Sequence, residues 1–377
     1  MPLYAAARTA APRIRAHFAQ HIAAARASGL GAHPAEAPDL DTIEAIIDAA
    51  FWASLRREEG FVPKISLALA GPHEGNQPLT FEQPLPLSTT ALVRVAPAVE
   101  RPGIHLGVWR SKSGALEVWG ATRAIPTFAL VLEVAAPGLL VVKHHRGDTG
   151  KFVNVAVLEG DLVKVINEEA SSVPDCPSLV TSLVGFGRVV ADQDPSVLVQ
   201  LAVSMRAHGR GGSLLVVPTG AVEWMESIVR PIRYNVAPVY GKLGDLVRRT
   251  DAEGERRSWQ DALENTIDAV AGLTAVDGAT IITDQYDLLA FGAKLTRRRG
   301  ALPVEQVMLT EPIEGSIPEV THPTRLGGTR HLSAAQFVHE ERSALALIAS
   351  QDGRFTIFAW SQCEELVHAH RVETLLL

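Results

Sequence analysis

The apolar residues of this chain change their spacing part-way along, and that change limits the folds open to it. From Lys64 onward they come in short runs, at 65–69, 91–95, 104–109, 116–119, 128–134, 139–142, 152–158 and 162–166, each the length of a strand. Turn residues stand between them, at Gly71-Pro72, Pro102-Gly103, Ser113-Gly114 and Pro137-Gly138. Connections this short predict an antiparallel, β-rich (α+β) domain over residues 61–175. Beyond Val173-Pro174-Asp175-Cys176-Pro177 the pattern alternates. Helices are expected over 195–207, 224–229, 240–249 and 259–272, and buried strands at 213–217 and 276–282. Helix alternating with buried strand is the signature of an α/β domain, here residues 176–377.

Ahead of both, residues 1–60 read as helical. The first 27 are Ala-rich, with Arg8, Arg13, Arg15 and Arg26, and lack the unbroken apolar core of a signal peptide or a membrane span. Asp41-Thr42-Ile43-Glu44 reads as a helix N-cap with its reciprocal Glu. The helix it opens buries Ile43, Ile46, Ile47, Ala50, Phe51 and Leu55 at helical spacing.

At 377 residues the chain exceeds one ordinary domain. Its net charge of −7 leaves no basic excess to neutralise a polymer's phosphates, which argues against nucleic-acid and membrane-surface partners. Cys176 and Cys363 sit in no ligand pattern, and a reducing cytoplasm is the plainer setting for them than a disulfide. The expected location is cytoplasmic.

Two segments carry the chemistry. Asp277-Gly278-Ala279 interrupts an apolar, β-branched run, and a polar turn at 283–287 leads to a second run at 288–291 before Gly292. That is strand, turn, strand, with an acid where backbone approach is close. Gly327-Gly328-Thr329-Arg330-His331 is glycine-rich, then basic, and opens into a helix. Backbone N–H groups at a helix start, with Arg and His beside them, suit a phosphate. A carboxylate able to hold a metal together with such a basic helix start matches the needs of nucleotide phosphates.

An Asp-Gly-Ala on a strand followed by a Gly-Thr-Arg-His helix start resembles the diadenylate cyclase (DAC) domain, whose motifs are Asp-Gly-Ala and Arg-His-Arg. The likeness extends over about residues 194–360. Residues 212–217 look like the family's early buried strand, and 343–360 like its closing hairpin. The resemblance implies a C-terminal α/β domain of diadenylate-cyclase type. In it Asp277, Gly278, Ala279, Gly327, Gly328, Thr329, Arg330 and His331 would bind an adenine nucleotide or cyclic dinucleotide. Asp277 and Asp352 would hold Mg²⁺ or Mn²⁺, and Asp277 would be catalytic if the domain is active. A cyclase needs two such domains face to face, hence a homodimer.

This chain departs from the pattern at three places. Leu332 stands where the family has its second Arg. The acidic pair of the hairpin is reduced to Gln351-Asp352. The connection from Leu295 to Gly327 is longer than cyclases carry. Such changes resemble the sensor-type (DACNV-like) relatives, thought to bind nucleotides without making them. A nucleotide sensor is therefore the first expectation and an active cyclase making cyclic di-AMP from two ATP the second. A third is an interaction protein whose pocket is vestigial.

Other candidates have plainer readings. His144-His145 lies at a strand end before Gly147, where neighbouring side chains diverge, and reads as solvated loop. His368 and His370 read as tail residues and Arg297-Arg298-Arg299 as a solvated turn. Asp352 stands before Gly353, as a hairpin turn also requires. Gly209, Gly211 and Gly212 lack the Lys-Ser/Thr of a P-loop, and Gly185 with Gly187 lacks the third glycine of a dinucleotide fingerprint.

Overall fold

The computed structural model describes residues 3–28, 34–72, 78–146, 151–167, 180, 197–249 and 256–377. The expected boundary at 173–177, Cys176 and the glycines at 185 and 187 lie outside them. The chain divides into two compact units, residues 1–166 with Leu377 and residues 167–376. Both are mixed α/β structures, each built on one multi-stranded sheet, with seven α-helices among the described residues.

The first unit opens with helices α1 (Ala5–Ser28) and α2 (Leu40–Ser54). Ile14, Phe18 and Ile22 of α1 and Ile43, Ile46 and Ile47 of α2 recur at helical spacing and are buried. They share one core with Leu67, Leu106, Leu132 and Leu158 of the sheet. Asp39, not Asp41, caps α2, its carboxylate accepting from Thr42 N at 2.7 Å. Leu55, expected to be buried, is exposed just past the helix end.

The eight strands are β1 (Ser66–Leu69), β2 (Leu79–Pro86), β3 (His105–Arg110), β4 (Leu116–Thr122), β5 (Leu130–Ala136), β6 (Leu139–Arg146), β7 (Lys151–Glu159) and β8 (Leu162–Val165). Their order is β2-β4-β3-β1-β5-β6-β7-β8. The sheet is antiparallel as expected, except that β1 and β3 run parallel. The segment between those two carries β2 and helix α3 (Thr89–Val95). The run 91–95, expected as a strand, is this helix. Ser88 caps it by accepting from Ala91 N, and a short apolar run alone does not separate strand from buried helix. Pro84 and Pro86 lie on β2, which is the sheet's edge, where a missing N–H costs no ladder bond.

The second unit is organised on β9 (Gly212–Val217), which is buried on both faces. Leu214 and Val216 join one core, with Val197, Leu201 and Met205 of α4 (Val197–Ala207) and Leu263, Ile267 and Val270 of α6 (Arg256–Leu273). Leu215 and Val217 join the other, with Ala334, Phe337 and Val338 of α7 (Thr329–Glu340). Helix α5 (Lys242–Arg248) adds Leu243 and Leu246 to the first core. Residues 224–229, expected as α-helix, form a 3-10 turn over Glu223–Ser227.

The remaining strands are β10 (Tyr234–Tyr240), β11 (Ala279–Thr283), β12 (Leu288–Ala293), β13 (Val307–Thr310), β14 (Glu319–Thr321), β15 (Leu345–Ala349), β16 (Phe355–Ser361) and β17 (Leu366–Arg371). The order is β10-β12-β11-β9-β15-β16-β17-β13-β14. The connection from Leu295 to Gly327 thus holds two strands of the sheet. Within it β13 pairs parallel to β17, and β14 pairs to β13.

Candidate functional site

Strand register brings the chemical segments of the second unit to one end of the sheet. β9 and β11 are parallel, so both start there. Ala279 at the start of β11 pairs with Ala293 at the end of β12, and Gly212 at the start of β9 pairs with Ala349 at the end of β15. Asp277 and Gly278 therefore precede one central strand, the glycine turn 209–211 precedes the other, and the β15–β16 turn with Gln351 and Asp352 stands alongside.

Gly278 lets the first of these segments pass close to its neighbour. Its φ is +117°, and a Cβ would lie 2.4 Å from the carbonyl carbon of Gly292. Ala279 is buried at the strand start. The Asp277 carboxylate is 88 % exposed and forms an ion pair with Lys294. The hydrogen bond from Lys294, and then its charge, hold that carboxyl below the usual carboxylate range, with a further contribution from Arg330. Lys294 was not singled out in the sequence. Its signal was its place, one residue past a strand that pairs back on Asp277.

The second segment caps a helix. Gly328 is the N-cap of α7, in extended backbone, and Thr329 is exposed on the first turn. Arg330 reaches toward the glycine turn, so that a Cβ on Gly211 would stand 2.8 Å from its Nη1 and 3.3 Å from Gln351 Cγ. Gln351 in turn donates to the Arg210 carbonyl at 3.3 Å. Arg330 thus stands beside the glycine turn, and its charge acts on Asp277. Those two segments and Arg330 are what the structure brings together.

His331 points the other way, into the core. A Cβ on Gly327 would be 2.4 Å from its Nδ1, and its Nε2 faces Thr356 Oγ1 at 3.4 Å. Burial pushes its pKa down to about 4, helped by Arg371, Arg354 and Arg330 and opposed by Asp352. Arginines of β17 and of the hairpin therefore gather below the start of α7, where the sequence had marked only a missing Arg at Leu332. Asp352 folds back on its own turn: it accepts from Arg354 N at 3.3 Å and pairs with Arg354 Nε at 3.5 Å, with Gly353 at φ +85°. Among the described residues no group of three or more His, Cys, Asp or Glu side chains is arranged to hold a metal ion.

The plain readings of three other segments do not hold. His144 is buried in the first unit, ringed by His17, His21 and Phe128 at 5.1–5.8 Å between ring centroids, because β6 continues through it rather than fraying. His368 and His370 lie inside β17, where Glu364 faces the first at 3.2 Å and Thr310 the second at 2.7 Å. Arg298 is no solvated turn residue. It pairs with Glu341 at 2.7 Å and Glu226 at 3.2 Å, and its backbone N donates to Glu340.

These features define, first, a class: a two-unit α/β protein whose described helices include none long and apolar enough to cross a membrane. A family model described as the probable sensor domain DACNV then matches residues 32–123. The match covers α2, β1 to β4 and α3 of the first unit. It spans the end of the expected helical segment (1–60) and much of the expected β-rich domain (61–175), and it does not reach residues 194–360, where the sensor-type likeness was expected, nor therefore Asp277 or Arg330. No curated protein matches the chain.

Proposed function

We propose that this is a sensor protein whose second unit binds the phosphates of an adenine nucleotide or cyclic dinucleotide. The observation that carries the reading is Arg330. Arg330 stands beside the glycine turn at one strand start, and its charge reaches the exposed Asp277 carboxylate at the other, more than sixty residues along the chain. A guanidinium at a helix N-terminus, beside glycines that admit close approach, is suited to phosphate oxygens. Lys294 adds a second cation, freed from Asp277 if the carboxylate turns to a metal. That metal fits as an ion carried on the phosphates, which needs only one or two protein carboxylates. Asp277 supplies one. Asp352, bent back to Arg354, would join only after leaving that partner. Arg354 and Arg371 add positive charge around His331 at the start of α7. The family match in the first unit supports the sensor half of the proposal.

The alternative is an active diadenylate cyclase, in which the 3′-hydroxyl of one ATP attacks the α-phosphate of another. Loss of one charge-assisted phosphate contact costs roughly 1.5–3 kcal/mol, which slows such a reaction without forbidding it. The test is incubation of the full chain with radiolabelled ATP and Mn²⁺, and in parallel a melting-temperature series with ATP and cyclic di-AMP. The sensor reading expects intact ATP and a stabilising shift that Arg330→Ala abolishes. Cyclic di-AMP formed by the wild type and absent in Asp277→Ala would make the protein an enzyme. No shift with any nucleotide would leave the interaction-protein reading.

A further inference from the structure

We propose that the first unit carries its own ligand site, a recess for a small organic cation, independent of the nucleotide reading of the second unit. A cavity of about 190 Å³ opens at the carboxyl ends of β1 and β3, between Leu69, Trp109 and Arg110 on the strands and Glu36, Asp39 and Thr42 at the start of α2. Those two strands are the parallel pair of this otherwise antiparallel sheet, so both end on the side where α2 begins to line the recess. Every residue lining the recess falls within 32–123, the stretch matching the probable sensor domain.

Charge decides the class of ligand. The recess holds two carboxylates and one guanidinium. Arg110 donates to both Asp39 oxygens at 3.0 and 2.9 Å, to Thr42 Oγ1 at 2.8 Å and to the Gly114 carbonyl at 3.0 Å. Asp39 also caps α2, so these two charges are spent on each other and on the backbone. What remains at the mouth is Glu36, exposed and without an ion-pair partner among the described residues, and the indole of Trp109, 37 % exposed. A free carboxylate beside an indole attracts a cation by charge and by the ring's quadrupole. An anion would have to displace Asp39 from Arg110 and then sit against Glu36. Ala35, Ala37, Pro38 and Leu69 give the rest of the wall an apolar character suited to a substituted ammonium.

The experiment is calorimetric titration of the full chain with benzyltrimethylammonium and, separately, with phenylacetate, which has a similar ring and the opposite charge. Saturable binding of the cation is expected, weakened about tenfold in Trp109→Leu and again in Glu36→Gln. Glu36 is exposed, so Glu36→Gln should melt as the wild type does, whereas Trp109→Leu gives up part of a half-buried indole and its binding is measured well below its own melting temperature. The proposal is overturned by absence of saturable binding of the cation at millimolar concentration, by preference for phenylacetate, or by a cation affinity that neither substitution changes.

Discussion

At Gly278 the backbone takes φ +117° with no room for a Cβ, which would meet both the carbonyl carbon and the oxygen of Gly292 within 2.7 Å. An alanine there adds the strain of a left-side backbone, about 1–2 kcal/mol, to the cost of forcing β11 and β12 apart, about 1–3 kcal/mol. Gly278→Ala should therefore lower the urea unfolding free energy of the second unit by roughly 2–5 kcal/mol. A change within error would mean the contact with Gly292 relaxes freely. This glycine was legible in the sequence, since an Asp-Gly inside an apolar run already implied close backbone approach. His331 was legible as a helix-start residue but not as a buried one. Its direction depends on Thr356, a residue far along the chain whose strand partner no local pattern reveals. The same holds for His144, His368 and His370, whose neighbours come from other elements.

Elements were legible where their own residues determine them. Helix α6 and the β11–β12 hairpin stand where periodicity and turn residues put them, and the β15–β16 hairpin where the family resemblance implied a closing hairpin. Parallel pairing was not legible, because nothing in β1 or β3 alone records which neighbour each will take. The cap of α2 was misplaced by two residues, since Asp39 and Asp41 are chemically alike and only the chain's entry angle chooses between them. Asp39→Ala should cost about 1 kcal/mol through loss of the cap, whereas Asp39→Asn, which can still accept from Thr42 N, should stay close to wild type. Equal loss in both variants would shift the weight to the Arg110 pair, which is exposed and expected to contribute little. The far end of α7 depends on a charged network instead. Ser227 Oγ shares its one proton between Glu340 at 2.8 Å and Glu341 at 2.9 Å, and Arg298 ties the start of the 295–327 connection to the same carboxylates. Glu341 is mostly buried, so Glu341→Ala should destabilise by roughly 1.5–3 kcal/mol in the same urea assay, and Glu341→Gln by less.

Over the whole molecule, both units bury imidazoles that resist protonation. Burial, with His21 beside it, pushes His17 of the first unit down to about 3. In the second unit burial pushes His331 to about 4 and His370, with His368 adjacent, to about 3. Each folded value lies below that of a free imidazole, about 6.5, so the unfolded chain binds more protons than the native one once the pH falls below 6.5. Stability from these groups is accordingly present above that pH and lost as pH falls through 6.5 toward the folded values. A single such histidine loses about 2 kcal/mol between pH 7 and pH 5. Most carboxylates titrate below that window, so its slope reports mainly the histidines. The urea midpoint of the full chain should fall clearly from pH 7 to pH 5. The fall should be shallower in His370→Leu, where Thr310 Oγ1 loses its partner but no proton is taken up on unfolding. A midpoint that stays flat over those two pH units would show that the imidazoles reach water in the native state, and the packing of α1 against the sheet and of α7 over β16 would then be looser than their burial implies.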